Sequence, residues 1–152
     1  MAGHLPVRAP QRAAHAPRGG PREPVTLGAP VTTILRGAPP IERFDVFDVA
    51  QLTRGTPLES LVAADLVELA PRSTSEVHRH DRSSTVIYLY EGSARVLVGE
   101  TWHDVRAGDR VVIEPGEYHG FRTGEERVLF LSVQMPPILD ESTGRLDLAR
   151  RP

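Results

Sequence analysis

The chain contains no cysteine, and lysine is also absent from its 152 residues. Without cysteine there is no disulfide framework, no thiolate metal site and no sulfur nucleophile. Without lysine there is no Schiff-base chemistry. All 18 basic residues are arginine. No apolar run approaches the roughly 20 residues that span a bilayer. The N-terminus lacks the apolar core of a signal peptide, so a cytoplasmic location is expected. A net charge of −2 offers no electrostatic case for nucleic acid or membrane partners. The sequence also lacks a serine nucleophile elbow, a phosphate-binding glycine loop, a dinucleotide fingerprint and a convincing glycosidase carboxylate pair.

What is present points to one globular domain, 39% hydrophobic and 25% charged. Thirteen glycines and 14 prolines predict many turns between short strands. Residues 1–40 hold eight of those prolines, five arginines and a single acid, Glu23. They show no helical or strand period, which predicts a disordered tail. His4 and His15 fall in it. The expected division is tail 1–40, β-barrel 41–139 and C-terminal extension 140–152.

The segment 44–52 alternates weakly, as an edge strand does. Thr56, Pro57 and Glu59 form a helix-start pattern, predicting one helical turn before a strand from about residue 65. "EVHRH", "TVIYLY", "SARVLVG", "TWHDV", "RVVIE" and "RVLFLSVQM" then read as consecutive strands. Glu91-Gly92 and Gly108-Asp109 mark turns between them, and Pro115-Gly116 fits a type II turn. Seven or eight short strands predict an all-β barrel or two-sheet sandwich.

Two histidines stand out in this pattern. On a strand, His78 and His80 point the same way, about 7 Å apart at the backbone. Two imidazoles at that separation can converge on one ion, with bonds of about 2.1 Å. His119, just after the Pro115-Gly116 turn, is the third candidate ligand.

These residues resemble the two motifs of the cupin superfamily. In the first, His78, His80 and Gly92 stand at the family's spacings; in the second, Gly108, Gly116 and His119 do, with Asp109 and Pro115 in support. The resemblance implies a double-stranded β-helix of jelly-roll type, commonly a homodimer. It also implies one divalent metal held by His78, His80 and His119, with Fe(II) first and Zn, Mn or Ni as alternatives. The chain departs from the motifs at four places. Arg72 replaces a glycine, Glu114 a proline and Thr123 an asparagine, and Thr85 stands where a glutamate ligand is expected.

Three readings of the missing glutamate follow. The site is a three-histidine centre with open positions; or Glu76 or Glu117 substitutes; or the barrel binds an organic ligand without metal. The leading functional expectation is a metalloprotein acting on a small molecule as a dioxygenase-type oxidoreductase. A non-redox isomerase, cyclase or lyase is the alternative enzyme, and a ligand-binding or sensing barrel the non-catalytic one. Thr85, Ile87, Arg95 and Gln134 are expected pocket residues. Tyr88 and Tyr90 should face outward, into a subunit interface. His103 should be an exposed, inert histidine, Trp102 a packing or dimer-surface residue, and Asp109 a turn residue.

Overall fold

Strands and turns, with no helix, make up residues 32–152, the part of the chain that the computed structural model describes. The expected tail lies mostly on residues outside the described range, as do His4 and His15. Residues 32–40 carry no regular element, and the first strand opens at Ile41.

Thirteen strands follow in order: β1 Ile41–Phe44, β2 Phe47–Gln51, β3 Ala63–Leu69, β4 His78–Arg79, β5 Ser84–Glu91, β6 Ser93–Val98 and β7 Thr101–Arg106. After these come β8 Arg110–Ile113, β9 His119–Thr123, β10 Val128–Met135, β11 Leu139–Asp140, β12 Arg145–Leu146 and β13 Ala149–Arg150. One sheet has six strands in the order β1-β2-β3-β10-β5-β8, a second has five in the order β13-β4-β9-β6-β7, and β11 and β12 pair as a separate two-stranded sheet. Every pairing is antiparallel.

The two-residue period decides what each strand buries. Along β5, Thr85, Ile87 and Leu89 are buried while Val86, Tyr88 and Tyr90 are exposed. Leu69, Leu89, Val96 and Val128 are fully enclosed between the sheets. Phe121 stacks on Phe130 with ring centroids 5.1 Å apart and meets Phe47 edge-on at 5.9 Å. Such pairs add about 0.5–1.5 kcal/mol beyond the area they bury. This aromatic cluster spans the gap between sheets and forms a floor below the barrel mouth.

Several local expectations shift by a few residues. The helical turn at Thr56 is a chain of turns: Thr56 Oγ1 accepts from the Leu58 N–H, and Glu59 accepts from the Gly55 N–H at 2.7 Å. β3 begins at Ala63 rather than 65. "EVHRH" pairs only at His78–Arg79, and the segment after Pro115-Gly116, not expected as a strand, forms β9.

The motif departures have local causes. Arg72 holds φ +58°, the left-handed region that a glycine enters without strain. It remains there with its N–H donating to the Gly124 carbonyl at 2.7 Å and its guanidinium paired with Glu125. Thr123 accepts from the Ser73 N–H at 2.8 Å and donates to the Ala70 carbonyl at 2.7 Å, closing the 70–73 turn. Glu114, unlike a proline, has an N–H, which Glu117 Oε2 accepts at 2.9 Å. Gly92 keeps the motif residue for a visible reason: a Cβ there would lie 2.2 Å from the Arg127 carbonyl oxygen.

Candidate metal centre

The three histidines meet because β4 and β9 are neighbours. His78 and His119 face each other directly in the register of that pair. His80 lies two residues on, so its side chain leaves the same face. The turn before His119 is tied to it as well. Gly116, at φ +87°, donates its N–H to the His80 carbonyl at 2.7 Å, and Glu117 N–H donates to the Glu114 carbonyl at 3.2 Å. That is the type II turn expected from Pro115-Gly116.

The imidazoles form a triangle, with centroids 4.4 Å apart for His78–His119, 5.0 Å for His80–His119 and 5.1 Å for His78–His80. One ring nitrogen of each lies within 4.8 Å of the others. Each Nδ1 is engaged by a backbone carbonyl: Glu76 at 3.2 Å for His78, Asp147 at 2.6 Å for His80 and Glu117 at 3.0 Å for His119. A carbonyl only accepts, so each Nδ1 carries the proton and each Nε2 presents its lone pair inward.

Burial keeps the rings neutral. Desolvation lowers the pKa of all three below the ordinary 6.5, and His119, which also feels His78, falls to about 3. Neutral imidazoles with Nδ1 tied back are the state a metal needs. Nitrogens sharing one ion at about 2.1 Å lie about 3–3.5 Å apart, which small χ rotations reach from here. The residues present therefore fit one divalent ion.

The carboxylates expected as substitutes are otherwise engaged. Glu76 pairs with Arg150, and Glu117 caps the turn at Glu114. Among the described residues, the group that could hold a metal is His78, His80 and His119 alone. Thr85 is 2% exposed, and its Oγ1 has no hydrogen-bond partner among the described residues.

The triangle opens on a cavity of about 320 Å³, lined also by Thr85, Ile87 and Gln134. Arg95 does not join them. It lies on the outer face of β6, 3.3 Å from Asp104 and over the Trp102 ring, because the inward positions there are Ala94 and Val96. Arg122 also lies over the Trp102 ring, 4.5 Å from its centroid, and His103 is exposed. Asp109 serves its turn, accepting from the Arg106 N–H at 2.9 Å.

Two residues escaped the sequence reading. Asp147, in the expected extension, accepts the backbone N–H groups of Asp81, Arg82 and Ser83 at 2.9, 2.9 and 3.2 Å, besides supplying the carbonyl to His80. Although burial raises its pKa, those three N–H groups hold the carboxyl below the usual range. Asp65, on β3, lines the cavity at 9% exposure. Its signal was an acid on the same strand face as Ala63, Val67 and Leu69.

A family model described as "Cupin domain" matches residues 65–134. No curated protein matches the chain by sequence. Among solved structures, a cupin-2 domain protein from Rhodospirillum rubrum is 20% identical, covering 71% of this chain and 77% of its own, with a TM-score of 0.57. A predicted oxalate decarboxylase from Thermotoga maritima is 20% identical, covering 60% of this chain and 81% of its own, at TM-score 0.56. KdgF from Halomonas sp. is 17% identical, covering 67% and 89%, at TM-score 0.56. At these identities the likeness is one of fold. No helix among the described residues is long and apolar enough to cross a membrane.

Proposed function

We propose that the chain, whose residues 65–134 match the cupin family model, is a cupin-superfamily protein whose barrel is a mononuclear metal site acting on a small organic molecule, as a dioxygenase-type oxidoreductase. The observation that carries this reading is the set of three inward Nε2 atoms, each fixed by a carbonyl behind its ring. A divalent ion held there, Fe(II) first, supplies Lewis acidity and, for iron, electrons for reaction with O2. With Thr85 in place of a carboxylate, the protein contributes no negative ligand, so an anionic chelating substrate is favoured. Phe121, Phe130 and Ile87 line the cavity and limit water around it. Elemental analysis of untagged protein, followed by oxygen uptake with chelating substrates, tests the proposal. Stoichiometric iron with uptake supports it; absence of metal sinks it.

A second reading has its own observation. Asp65 shares the cavity, and burial pushes its carboxyl up to about 6. A group poised there moves protons near neutral pH, which suits non-redox isomerase, cyclase or lyase chemistry. Turnover without oxygen uptake would select it. A binding or sensing barrel remains the non-catalytic counterpart, marked by ligand retention without turnover.

The outer face of the six-stranded sheet supports a homodimer. Val133 sits between Ala64 and Val86, which pairs with Val112; Leu131 sits between Leu66 and Tyr88. Val112 is 57% exposed and Val86 40%, a contiguous apolar stripe of the kind that marks an interface. Val86→Glu should turn a dimer into a monomer in sedimentation at equal metal content. A wild-type monomer would refute the assignment. The cytoplasm is the location proposed for it, to be checked by fractionation.

A further inference from the structure

The cavity has a second wall, and its chemistry is unlike the apolar core below it. Opposite pairs in a sheet share a face. Asp65 stands between Gln51 on β2 and Ser132 on β10, and in the next row Gln134 stands between Ala63 and Thr85. Gln51, Asp65, Ser132, Gln134 and Thr85 all line the cavity. Further down the same faces run Val49, Val67, Leu69 and Phe130, all buried and apolar.

The polar band is built but uncommitted. Asp65, Thr85 and Ser132 are 9%, 2% and 6% exposed. Among the described residues, none of these three side chains, nor that of Gln134, makes a hydrogen bond, and Thr85 Oγ1 is fully enclosed without a partner. An unpaired buried polar group costs about 1–3 kcal/mol. Thr85 Oγ1 carries that cost outright, and the polar groups of Asp65, Ser132 and Gln134 face the same cavity, a clustering hard to explain by folding alone. The arginines lining the cavity are already paired, Arg54 with Glu42 at 2.6 Å and Arg150 with Glu76. Away from the histidines, this wall thus offers a carboxyl, hydroxyls and amides, and among the described residues lining the cavity no guanidinium is unpaired.

We propose that Asp65, Thr85, Ser132 and Gln134 form a recognition wall for a hydroxyl or amino group carried by the molecule whose other end chelates the metal. This rests on the metal reading of the three histidines and narrows its substrate class. The ligand is a small oxygen chelator bearing a hydrogen-bond donor on its chain, rather than a second anionic group. Asp65 accepts from that donor, and Thr85 and Ser132 complete its hydrogen bonds.

The test uses full-length protein and alkyl hydroxamates of increasing chain length, each with and without a terminal hydroxyl. Metal content is measured in the same samples. At one chain length the hydroxyl should add about tenfold in affinity, as a hydrogen bond to a carboxylate does. Asp65→Ala should abolish that gain and Asp65→Asn retain part of it, with metal content and binding of the plain hydroxamate unchanged. A loaded protein showing no gain at any length, or keeping it in Asp65→Ala, overturns the wall. Loss of metal from wild type would instead count against the histidine reading. In that case thermal melting of the metal-free protein still decides. Asp65→Ala and Thr85→Val should melt no lower than wild type, because neither group has a structural partner to lose. A clear fall in both would overturn the proposal.

Discussion

Replacing His119 with alanine should weaken divalent-metal binding by about a hundred- to a thousand-fold. Structural zinc sites bind with about 10–16 kcal/mol shared over roughly four ligands, which puts one imidazole at about 2.5–4 kcal/mol. His119 is the ligand with least redundancy. It is 3% exposed, it faces His78 across the strand pair, and no neighbouring carboxylate is free to replace it. The variant should still fold, because among the described residues the ring's one hydrogen bond is to the Glu117 carbonyl two residues away. Its removal also relieves a desolvated imidazole whose pKa is held at about 3. Elemental analysis after dialysis, with circular dichroism as the folding control, reads the outcome. Wild-type metal content in the variant would rule out the three-histidine site.

Asp147→Ala should lower stability by about 2–4 kcal/mol and metal affinity by about ten- to a hundredfold. The first figure comes from three backbone N–H groups, at Asp81, Arg82 and Ser83, that lose a buried acceptor. The second follows from position. Those N–H groups belong to the loop that leaves His80, so losing the carboxylate frees that loop and shifts the ring against the Asp147 main-chain carbonyl, which alanine keeps. Groups that orient a metal ligand typically carry effects of that size. Arg150→Ala is the control. It removes an exposed pair with Glu76 while leaving the β13–β4 pairing to the backbone, so both readouts should hold. Denaturant melts and competitive metal titration measure the two effects. Equal losses in both variants would mean that the chain end acts as a strand only, without the carboxylate.

Much of the fold was legible from local pattern. The alternation in "TVIYLY" and "RVLFLSVQM" predicts β5 and β10, and Pro115-Gly116 predicts its turn. Of the strands that escaped notice, β11 to β13 are two residues each, too short to show a period. Arg95 shows the limit from the other side. The period of two says that Arg95 and Ala94 face opposite ways, but only the packed sheets reveal that Ala94 is the one inside.

The resemblance to the cupin motifs marked the missing carboxylate at Thr85; within the sequence alone lay the shared face of His78 and His80 and the turn that delivers His119. Those follow from neighbours within a few residues, where backbone geometry is periodic. The tertiary structure alone brought Asp147 behind His80, across 67 positions of chain. It likewise set Asp65 beside Ser132. Such pairings depend on which strands become neighbours and in what register. That choice is made by burying the whole core at once, and no short stretch of residues encodes it.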